Sequence, residues 1–257
     1  IFNHLTQNTP FITIIFGCIH PTTKQLKNPN SFLIPMKLGV LYSGGKDSTM
    51  ATYLAKKEGH EIACLITLHS ENSESYMFHT PSIRRTENQA EAMSLPLIIK
   101  ETKGIKEDEL KDLEDAIKTA VKKYNIKGIV TGALHSEYQA SRIQKICDKL
   151  KIKCVNPLWH KDEFQYLNDI IENKFRVIVI GVSAYPLNAS WLGREIDSKF
   201  IEDVRELHRK YKIHPAGEGG EFETFVIDCP LFQKPLKVTG ANFTGEGNSW
   251  RMELEIR

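Results

Sequence analysis

The sequence predicts a doubly wound α/β fold, in which a parallel sheet of five strands carries helices on both faces. Two observations support this prediction. Between Leu38 and Val155, short apolar runs alternate with segments whose apolar residues recur at three- and four-residue steps. After Pro157 this alternation ends, and the last strand-like runs follow one another without helices between them. We therefore predict two domains, the first over residues 36–157 and a smaller α+β domain over residues 158–257.

The charge balance and the cysteines narrow the class of protein. The 257 residues include 34 Lys and Arg against 32 Asp and Glu, which gives a formal net charge of +2. Such a balance argues against a dedicated nucleic-acid binder. The 5 cysteines are odd in number and include no C-x-x-C pair, so they indicate neither a disulfide framework nor a zinc site. We expect reduced thiols, a cytoplasmic location and no membrane partner.

Residues 1–35 differ from the rest of the chain. Their apolar run at residues 11–19 is too short to cross a bilayer, and no Lys or Arg precedes it as in a signal peptide. Met36 stands directly before the first predicted strand. We interpret residues 1–35 as a non-native or disordered extension outside the fold.

Each element is predicted from its local pattern. The strands are apolar and rich in β-branched residues, and we place them at residues 38–41, 61–68, 97–101, 127–132, 153–155, 176–182, 225–228, 236–240 and 251–256. The helices carry an apolar stripe, and we place them at residues 46–58, 83–93, 107–124, 137–150, 162–172 and 200–211. In the helix at 107–124, acidic residues open the first turn while Lys122 and Lys123 close the last, as the helix dipole favours.

The turn between the first strand and the first helix predicts an anion site. Its sequence is S-G-G-K-D-S, at residues 43–48. The two glycines permit backbone torsions and close approaches that a Cβ would block. The helix that starts near Lys46 directs free N–H groups and the positive end of its dipole toward the loop. A Walker loop is excluded, because Val40 stands in place of its first glycine and Asp47 in place of its Ser/Thr.

This stretch resembles the PP-loop of the ATP pyrophosphatase superfamily, whose members cleave ATP between its α and β phosphates. The resemblance implies a HUP-like sheet of the adenine nucleotide alpha-hydrolase type, a loop that cradles pyrophosphate, and a substrate activated as an adenylate. Since ligands of doubly wound sheets bind beyond the carboxyl ends of the strands, we expect ATP to contact Ser43, Gly44, Gly45, Lys46, Ser48 and the backbone of Leu68 and Gly132. Asp47 is expected to orient Lys46 or to help hold Mg²⁺; the alternative is a carboxylate that faces solvent in the first helical turn.

The helix predicted at residues 137–150 begins at the same sheet edge. Tyr138 and Arg142 are four residues apart and therefore share a face, with Gln139 beside them. We predict that these three side chains contact phosphate or the incoming acyl group. The alternative is a solvated helix face that packs against the second domain.

A second glycine-rich segment, G-E-G-G-E-F-E-T at residues 217–224, contains three carboxylates. Carboxylates repel a phosphate, so this segment indicates a cation: a metal ion, an ammonium or a cationic substrate. The alternative is a mobile acidic hairpin tip. The candidates for catalysis are Lys46, Asp47, Glu218, Glu221 and Glu223. The candidates for substrate contact in this segment are Gly219, Gly220 and Phe222.

Four motifs together resemble the diphthine–ammonia ligase family, and the resemblance covers residues 36–257. The motifs are S-G-G-K-D-S, G-x-x-x-x-x-Y-Q at residues 132–139, W-L-G-R at residues 191–194, and G-E-G-G-E-F-E-T. The resemblance implies ATP-dependent amidation of diphthine on translation elongation factor two, through an acyl-adenylate, with release of AMP and pyrophosphate. It implies ATP and Mg²⁺ as cofactors, and the elongation factor and ammonia as partners, with no direct contact to nucleic acid. The source of ammonia and a homodimer stay open.

The implied substrate gives the three glutamates two alternative roles. Diphthine carries a quaternary trimethylammonium, which favours aromatic faces beside carboxylates. One hypothesis is therefore a cage built by the glutamates with Phe222 and either Tyr185 or Trp191; the other is a glutamate that takes a proton from ammonium. Two other functions stay open, a tRNA-modifying PP-loop enzyme and a non-catalytic ATP-sensing module.

Overall fold

The structure, a computed structural model, describes residues 34–70, 82–105 and 108–257. Residues 34–257 form one compact unit. Apart from Ile34 and Pro35, the predicted N-terminal extension lies outside the described residues. None of the helices in the three described ranges has the length and hydrophobicity that a membrane span requires.

The first half of the chain forms the predicted parallel sheet. Its strands are β1 (Lys37–Leu41), β2 (Glu61–Ser70), β3 (Leu97–Thr102), β4 (Gly128–Val130) and β5 (Lys153–Val155). Their spatial order is β3-β2-β1-β4-β5, and every neighbouring pair is parallel. The chain winds in one direction from β1 to β3 and in the other from β4 to β5. Such a reversal between β1 and β4 leaves a crevice at the carboxyl ends of these two strands.

Helices cover both faces of this sheet, which confirms the doubly wound architecture. They are α1 (Lys46–Lys57), α2 (Thr86–Met93), α3 (Asp108–Tyr124) and α4 (Glu137–Leu150). Met50 of α1 and Ala90 of α2 belong to one hydrophobic cluster, whereas Leu113 of α3 and Ile143 of α4 belong to another. A 3₁₀ turn, Ile83–Arg85, precedes α2 where we predicted one continuous helix.

The second half of the chain contains a separate antiparallel sheet with two helices. Its strands are β6 (Arg176–Val182), β7 (Phe222–Asp228), β8 (Val238–Glu246) and β9 (Ser249–Ile256), in the order β7-β6-β9-β8. The helices are α5 (Glu163–Glu172) and α6 (Ser198–Tyr211). Asp162 and Asp197 cap their N-termini, accepting hydrogen bonds from the backbone N–H of Gln165 and Phe200. The α+β character of this half agrees with the sequence.

Strand β8 is longer than the sequence indicates. We predicted residues 236–240, whereas β8 extends from Val238 to Glu246 and forms an antiparallel hairpin with β9. Because β8 lies at the sheet edge, most of its residues are exposed. An exposed edge strand needs no apolar face. The pattern of apolar residues, from which we predict strands, therefore does not reveal its backbone pairing.

One hydrophobic cluster connects the two sheets. It contains Val40 and Val130 from the first sheet and Val179 and Val226 from the second. Leu158, at the predicted domain boundary, is fully buried in the same cluster. The division into domains at that residue therefore stays a prediction, and the two halves of the chain share a core.

Candidate functional site

The crevice between β1 and β4 brings two predicted segments together. The loop after β1 contains residues 43–48, here called the phosphate loop, and the loop after β4 begins at Thr131. A Cβ added at Gly132 would lie 2.7 Å from the backbone carbonyl carbon of Asp47 and 2.7 Å from the nitrogen of Ser48. Only a glycine permits this approach, so the loop after β4 lies directly against the start of α1.

Polar groups within the phosphate loop hold its shape. Gly44 has a φ of +81°, which an L side chain rarely adopts. The hydroxyl oxygens of Ser43 and Ser48 are 3.2 Å apart. The Thr49 hydroxyl donates to the carbonyl oxygen of Gly45 at 2.9 Å, and the Ser48 hydroxyl donates to the same oxygen at 3.3 Å. These internal hydrogen bonds fix the loop, and its two serines lie side by side.

Strand β7 of the second sheet fixes the phosphate loop from outside. The backbone N–H of Val226 donates to the carbonyl oxygen of Gly44 at 3.0 Å. The buried Gln89 amide donates both to that oxygen, at 2.9 Å, and to the carbonyl oxygen of Val226, at 2.8 Å. The backbone N–H of Lys46 donates to the hydroxyl of Thr224 at 3.2 Å. Sequence reasoning missed these contacts, although Thr224 is the last residue of the second glycine-rich motif.

The side chain of Lys46 is almost completely buried, with 3% of the residue exposed. Its ammonium donates to Oδ2 of Asp47 at 2.9 Å. The hydroxyl of Tyr166, on α5, donates to Oδ1 of the same carboxylate at 2.7 Å. Burial, and then the negative charge of Asp47, raise the pKa of Tyr166 well above its ordinary value, so the hydroxyl stays a donor. This geometry agrees with the prediction that Asp47 orients Lys46, and it adds a tyrosine that the sequence did not indicate.

Glu223 lies on β7, between Phe222 and Thr224. Burial raises the pKa of its carboxyl from 4.5 to about 7, while the positive charge of Lys46 opposes this rise and the negative charge of Asp47 adds to it. At neutral pH the carboxyl is therefore present in both protonation states. Such a group can accept and release a proton, whereas an ordinary surface glutamate stays ionised.

The other two glutamates bond to the backbone around them. Oε1 of Glu218 accepts from the backbone N–H of Leu134 at 2.9 Å and of His135 at 3.3 Å. Glu221 accepts from the N–H of His214 at 2.9 Å through Oε1 and from the N–H of Gly219 at 2.9 Å through Oε2. Residues 214–221, here called the acidic loop, are thereby tied to the loop after β4 through Glu218 and to their own backbone through Glu221.

The aromatic residues of the predicted cage differ in exposure and in their partners. Phe222 is 2% exposed, with the Lys46 ammonium 5.5 Å from its ring centroid. The guanidinium of Arg194 lies 4.2 Å from the Trp191 ring centroid. Tyr185 is 67% exposed and packs edge-on against Tyr211 at 5.4 Å between ring centroids. The burial of Phe222 speaks against an open cage that includes it.

The ligand contacts predicted at the start of α4 stay predictions. The four-residue spacing of Tyr138 and Arg142 does place their side chains together. The Arg142 guanidinium carbon lies 3.5 Å from the Tyr138 ring centroid, so the two side chains share a helix face. The backbone N–H of Gln139 donates to the capping hydroxyl of Ser136 at 3.4 Å. The side chain of Leu68 is buried in the core, so the predicted contact with ATP would have to use its backbone.

Two histidines and a glutamate form a cluster beside the acidic loop. Nε2 of His135 is 3.2 Å, and Nε2 of His214 is 3.6 Å, from Oε1 of Glu163. These three side chains lie close enough to hold a metal ion. However, Nδ1 of His214 accepts from the N–H of Ala216 at 3.2 Å and of Glu218 at 3.4 Å. The neutral ring therefore carries its proton on Nε2, which makes that atom a donor to Glu163 rather than a metal ligand.

Both halves of the chain match models of known domain families. The diphthamide synthase N-terminal domain matches residues 36–154, and the diphthamide synthase C-terminal domain matches residues 162–254. A diphthine–ammonia ligase of Bos taurus is 33% identical over 222 residues, which cover 79% of this chain and 83% of that protein. A diphthine–ammonia ligase of Schizosaccharomyces pombe is 33% identical over 220 residues, which cover 79% of this chain and 36% of that protein. A solved structure, a predicted subunit of a tRNA methyltransferase from Methanocaldococcus jannaschii, aligns with 76% of this chain and 98% of its own at a TM-score of 0.39 and 18% identity.

Proposed function

Because this chain belongs to the diphthamide synthase family, we propose that it is a diphthine–ammonia ligase, which uses ATP to convert diphthine on translation elongation factor two to diphthamide. One observation carries the proposal. Strand β7, which directly continues the acidic loop, is hydrogen-bonded along the phosphate loop through Val226 and Thr224. The two glycine-rich motifs therefore form one site, in which a carboxylate activated with ATP and an incoming ammonia are expected to meet.

The first step forms the acyl-adenylate. A carboxylate oxygen of diphthine attacks the α-phosphorus of ATP, the new O–P bond forms, and the bond to pyrophosphate breaks. The start of α1 offers backbone N–H groups and its positive dipole end to the phosphates. Lys46 adds a buried positive charge, whose attraction for the departing pyrophosphate is stronger than it would be in water.

Magnesium is expected to accompany ATP and to neutralise phosphate charge. Its preferred protein ligands are carboxylate oxygens, and it keeps several waters or phosphate oxygens besides. Both oxygens of Asp47 already accept hydrogen bonds, from Lys46 and from Tyr166. We therefore assign Asp47 to the orientation of Lys46 and name no magnesium ligand in this chain.

The second step transfers ammonia to the acyl carbon. At neutral pH the available species is mostly ammonium, which has no free electron pair until it loses a proton. We assign that proton to the carboxylate form of Glu223, whose pKa of about 7 suits a general base at neutral pH. The nitrogen then bonds to the acyl carbon, the bond from that carbon to the AMP oxygen breaks, and the amide nitrogen releases its remaining extra proton.

The acidic loop has a different part in this proposal. Glu218 and Glu221 order the backbone beside the site, and the exposed Gly219 and Gly220 are our candidates for contact with the protein substrate. Family membership favours this function over the tRNA-modifying enzyme and the non-catalytic ATP sensor. A cytoplasmic location, a homodimer and the lack of nucleic-acid contact stay predictions.

The test is a reaction of the purified protein with ATP, ammonium and diphthine-bearing elongation factor. We expect AMP and pyrophosphate, together with a decrease of about one dalton in the mass of the factor, because an amide replaces a carboxylic acid. Lys46→Ala is expected to abolish all three signals. Lys57→Ala, which removes the same charge at the far end of α1, is the matched control and keeps them. Release of AMP from the wild type with no change in the mass of the factor would contradict the proposed substrate.

A further inference from the structure

We propose that Tyr166 is a positioning residue for ATP cleavage, which acts through Asp47 to hold the Lys46 ammonium against the departing pyrophosphate. The inference rests on the proposed function as far as it assigns the ATP phosphates to the phosphate loop. It goes further because it gives a role to a residue that neither glycine-rich motif contains. Tyr166 lies 119 residues after Asp47 in the chain, on helix α5 of the second half.

The carboxylate of Asp47 is held at both oxygens by different donors. Tyr166 donates to Oδ1 at 2.7 Å, and Lys46 donates to Oδ2 at 2.9 Å. Rotation of the carboxylate about its terminal bond would break at least one of these hydrogen bonds. The tyrosine hydroxyl therefore fixes the plane of the carboxylate and, with it, the direction from which the ammonium is held.

The Asp47 carboxylate needs a second hydrogen-bond donor, besides Lys46, because it is partly exposed to water. The side chain of Asp47 is 38% exposed, so water competes with these donors for its oxygens. Lys46 has a long, flexible stem with a single charged atom at its end, and its position depends on the partner that the ammonium contacts. Tyr166 is fully buried and rigid, and it stays protonated at neutral pH. A fully buried donor thus sets the position of a partly exposed carboxylate and, through it, of the buried ammonium.

The effect is expected mainly on the rate of ATP cleavage. Backbone N–H groups of the phosphate loop hold the phosphates before the reaction, whereas the lysine charge matters most as negative charge develops on the leaving pyrophosphate. Loss of the tyrosine hydroxyl is therefore expected to lower kcat for AMP formation by about tenfold and to change the KM for ATP by less than about twofold. A purely structural role would lower the melting temperature without this split between kcat and KM.

The experiment compares Tyr166→Phe, Asp47→Asn and the double variant with the wild type, as full chains. The phenylalanine keeps the buried ring, so the fold is expected to survive and is checked by thermal melting. Because Tyr166 acts through Asp47, the double variant should be no slower than Asp47→Asn alone. Tyr53→Phe makes the same chemical change on α1, where the ring packs edge-on against Phe175, and is expected to leave kcat unchanged.

Binding of inorganic pyrophosphate, measured by titration calorimetry, separates this inference from the proposed function. The wild type should bind it, Lys46→Ala should not, and Tyr166→Phe should bind it several-fold more weakly, with no further loss in the double variant. If the wild type binds pyrophosphate in this way yet leaves diphthine unchanged, the proposed substrate is wrong and the role of Tyr166 is still decided. Full kcat and full pyrophosphate affinity in Tyr166→Phe would overturn the inference, and so would effects of Tyr166→Phe and Asp47→Asn that multiply.

Discussion

The phosphate loop and the acidic loop are both rich in glycine and charged residues, yet their polar groups are used in opposite ways. In the phosphate loop, the backbone is held from outside by Gln89 and β7, and the charged side chain of Lys46 is turned to a carboxylate next to the expected ligand. In the acidic loop, Glu218 and Glu221 bond to backbone N–H groups around them. A charged residue in a glycine-rich motif therefore indicates a catalytic role only when its hydrogen-bond partners hold it next to the expected ligand.

Two glycines with nearly the same backbone torsion give the sharpest test of this comparison. Gly44 and Gly220 have φ values of +81° and +80°, so an alanine is strained at either position by about 1–2 kcal/mol. At Gly44 the new Cβ would also clash with Oε1 of Gln89, whereas at Gly220 no atom of the described residues would lie within 4 Å of it. We expect Gly44→Ala to lower kcat for AMP formation by at least about 100-fold. Gly220 is a predicted substrate contact, so Gly220→Ala should lose stability and raise the KM for the elongation factor while it keeps kcat. Equal losses of kcat in steady-state assays would break the comparison.

A smaller and more selective effect is expected at Glu223. Glu223→Gln removes the proposed base, so amide formation should fall by about 100-fold or more while pyrophosphate release continues. In the wild type, amide formation at constant ammonium concentration should rise with pH and level off above about 7, as the carboxyl ionises, whereas the variant depends on free ammonia and should rise without levelling off. Glu221→Gln is the matched control and should keep this pH profile. A plateau above pH 7 that persists in Glu223→Gln would show that another group is the base.

A substitution in the acidic loop should lower the stability of the protein, whereas the substitution of Glu223 should lower the rate of amide formation. Glu221→Ala leaves the backbone N–H groups of His214 and Gly219 without their acceptor, which should lower the free energy of unfolding by about 1–3 kcal/mol. Urea denaturation measures this loss. At saturating substrate concentrations, kcat should change by less than about threefold, because Glu221 takes no part in the proposed chemistry. A normal stability with a large fall in kcat would reverse the roles that we assign to the two glutamates.

The last effect concerns the pH dependence of stability. The folded protein holds a proton on Glu223 up to about pH 7, whereas the ordinary pKa of 4.5 applies after unfolding. The unfolded state therefore releases this proton first, and the contribution of Glu223 to stability falls as pH rises from about 4.5 to about 7. Glu223→Gln cannot ionise, so it should gain stability relative to the wild type between pH 5 and pH 8. Urea denaturation at pH 5 and at pH 8 measures the free energy of unfolding of both proteins. The same difference between them at the two pH values would contradict the raised pKa of Glu223.

Local patterns were sufficient for most elements of the fold. Helix α4 and strands β5 and β6 have the predicted bounds, because their apolar residues face a core on at least one side. The strand, turn and helix around the phosphate loop are likewise encoded within some twenty consecutive residues, from Lys37 to Lys57. Strand β8 could not be found in this way, since backbone pairing at an exposed edge leaves little trace in the side chains.

The sequence by itself determined the fold class, the phosphate loop and the pairing of Tyr138 with Arg142, each of which depends on residues close in the chain. Only the tertiary structure decided that β7 holds the phosphate loop, that Tyr166 reaches Asp47, and that the three glutamates differ in their surroundings. The physical reason is the range of the interactions. Torsional preference and amphipathic periodicity act between near neighbours, whereas burial, hydrogen-bond partners and pKa values depend on which distant segments share the core.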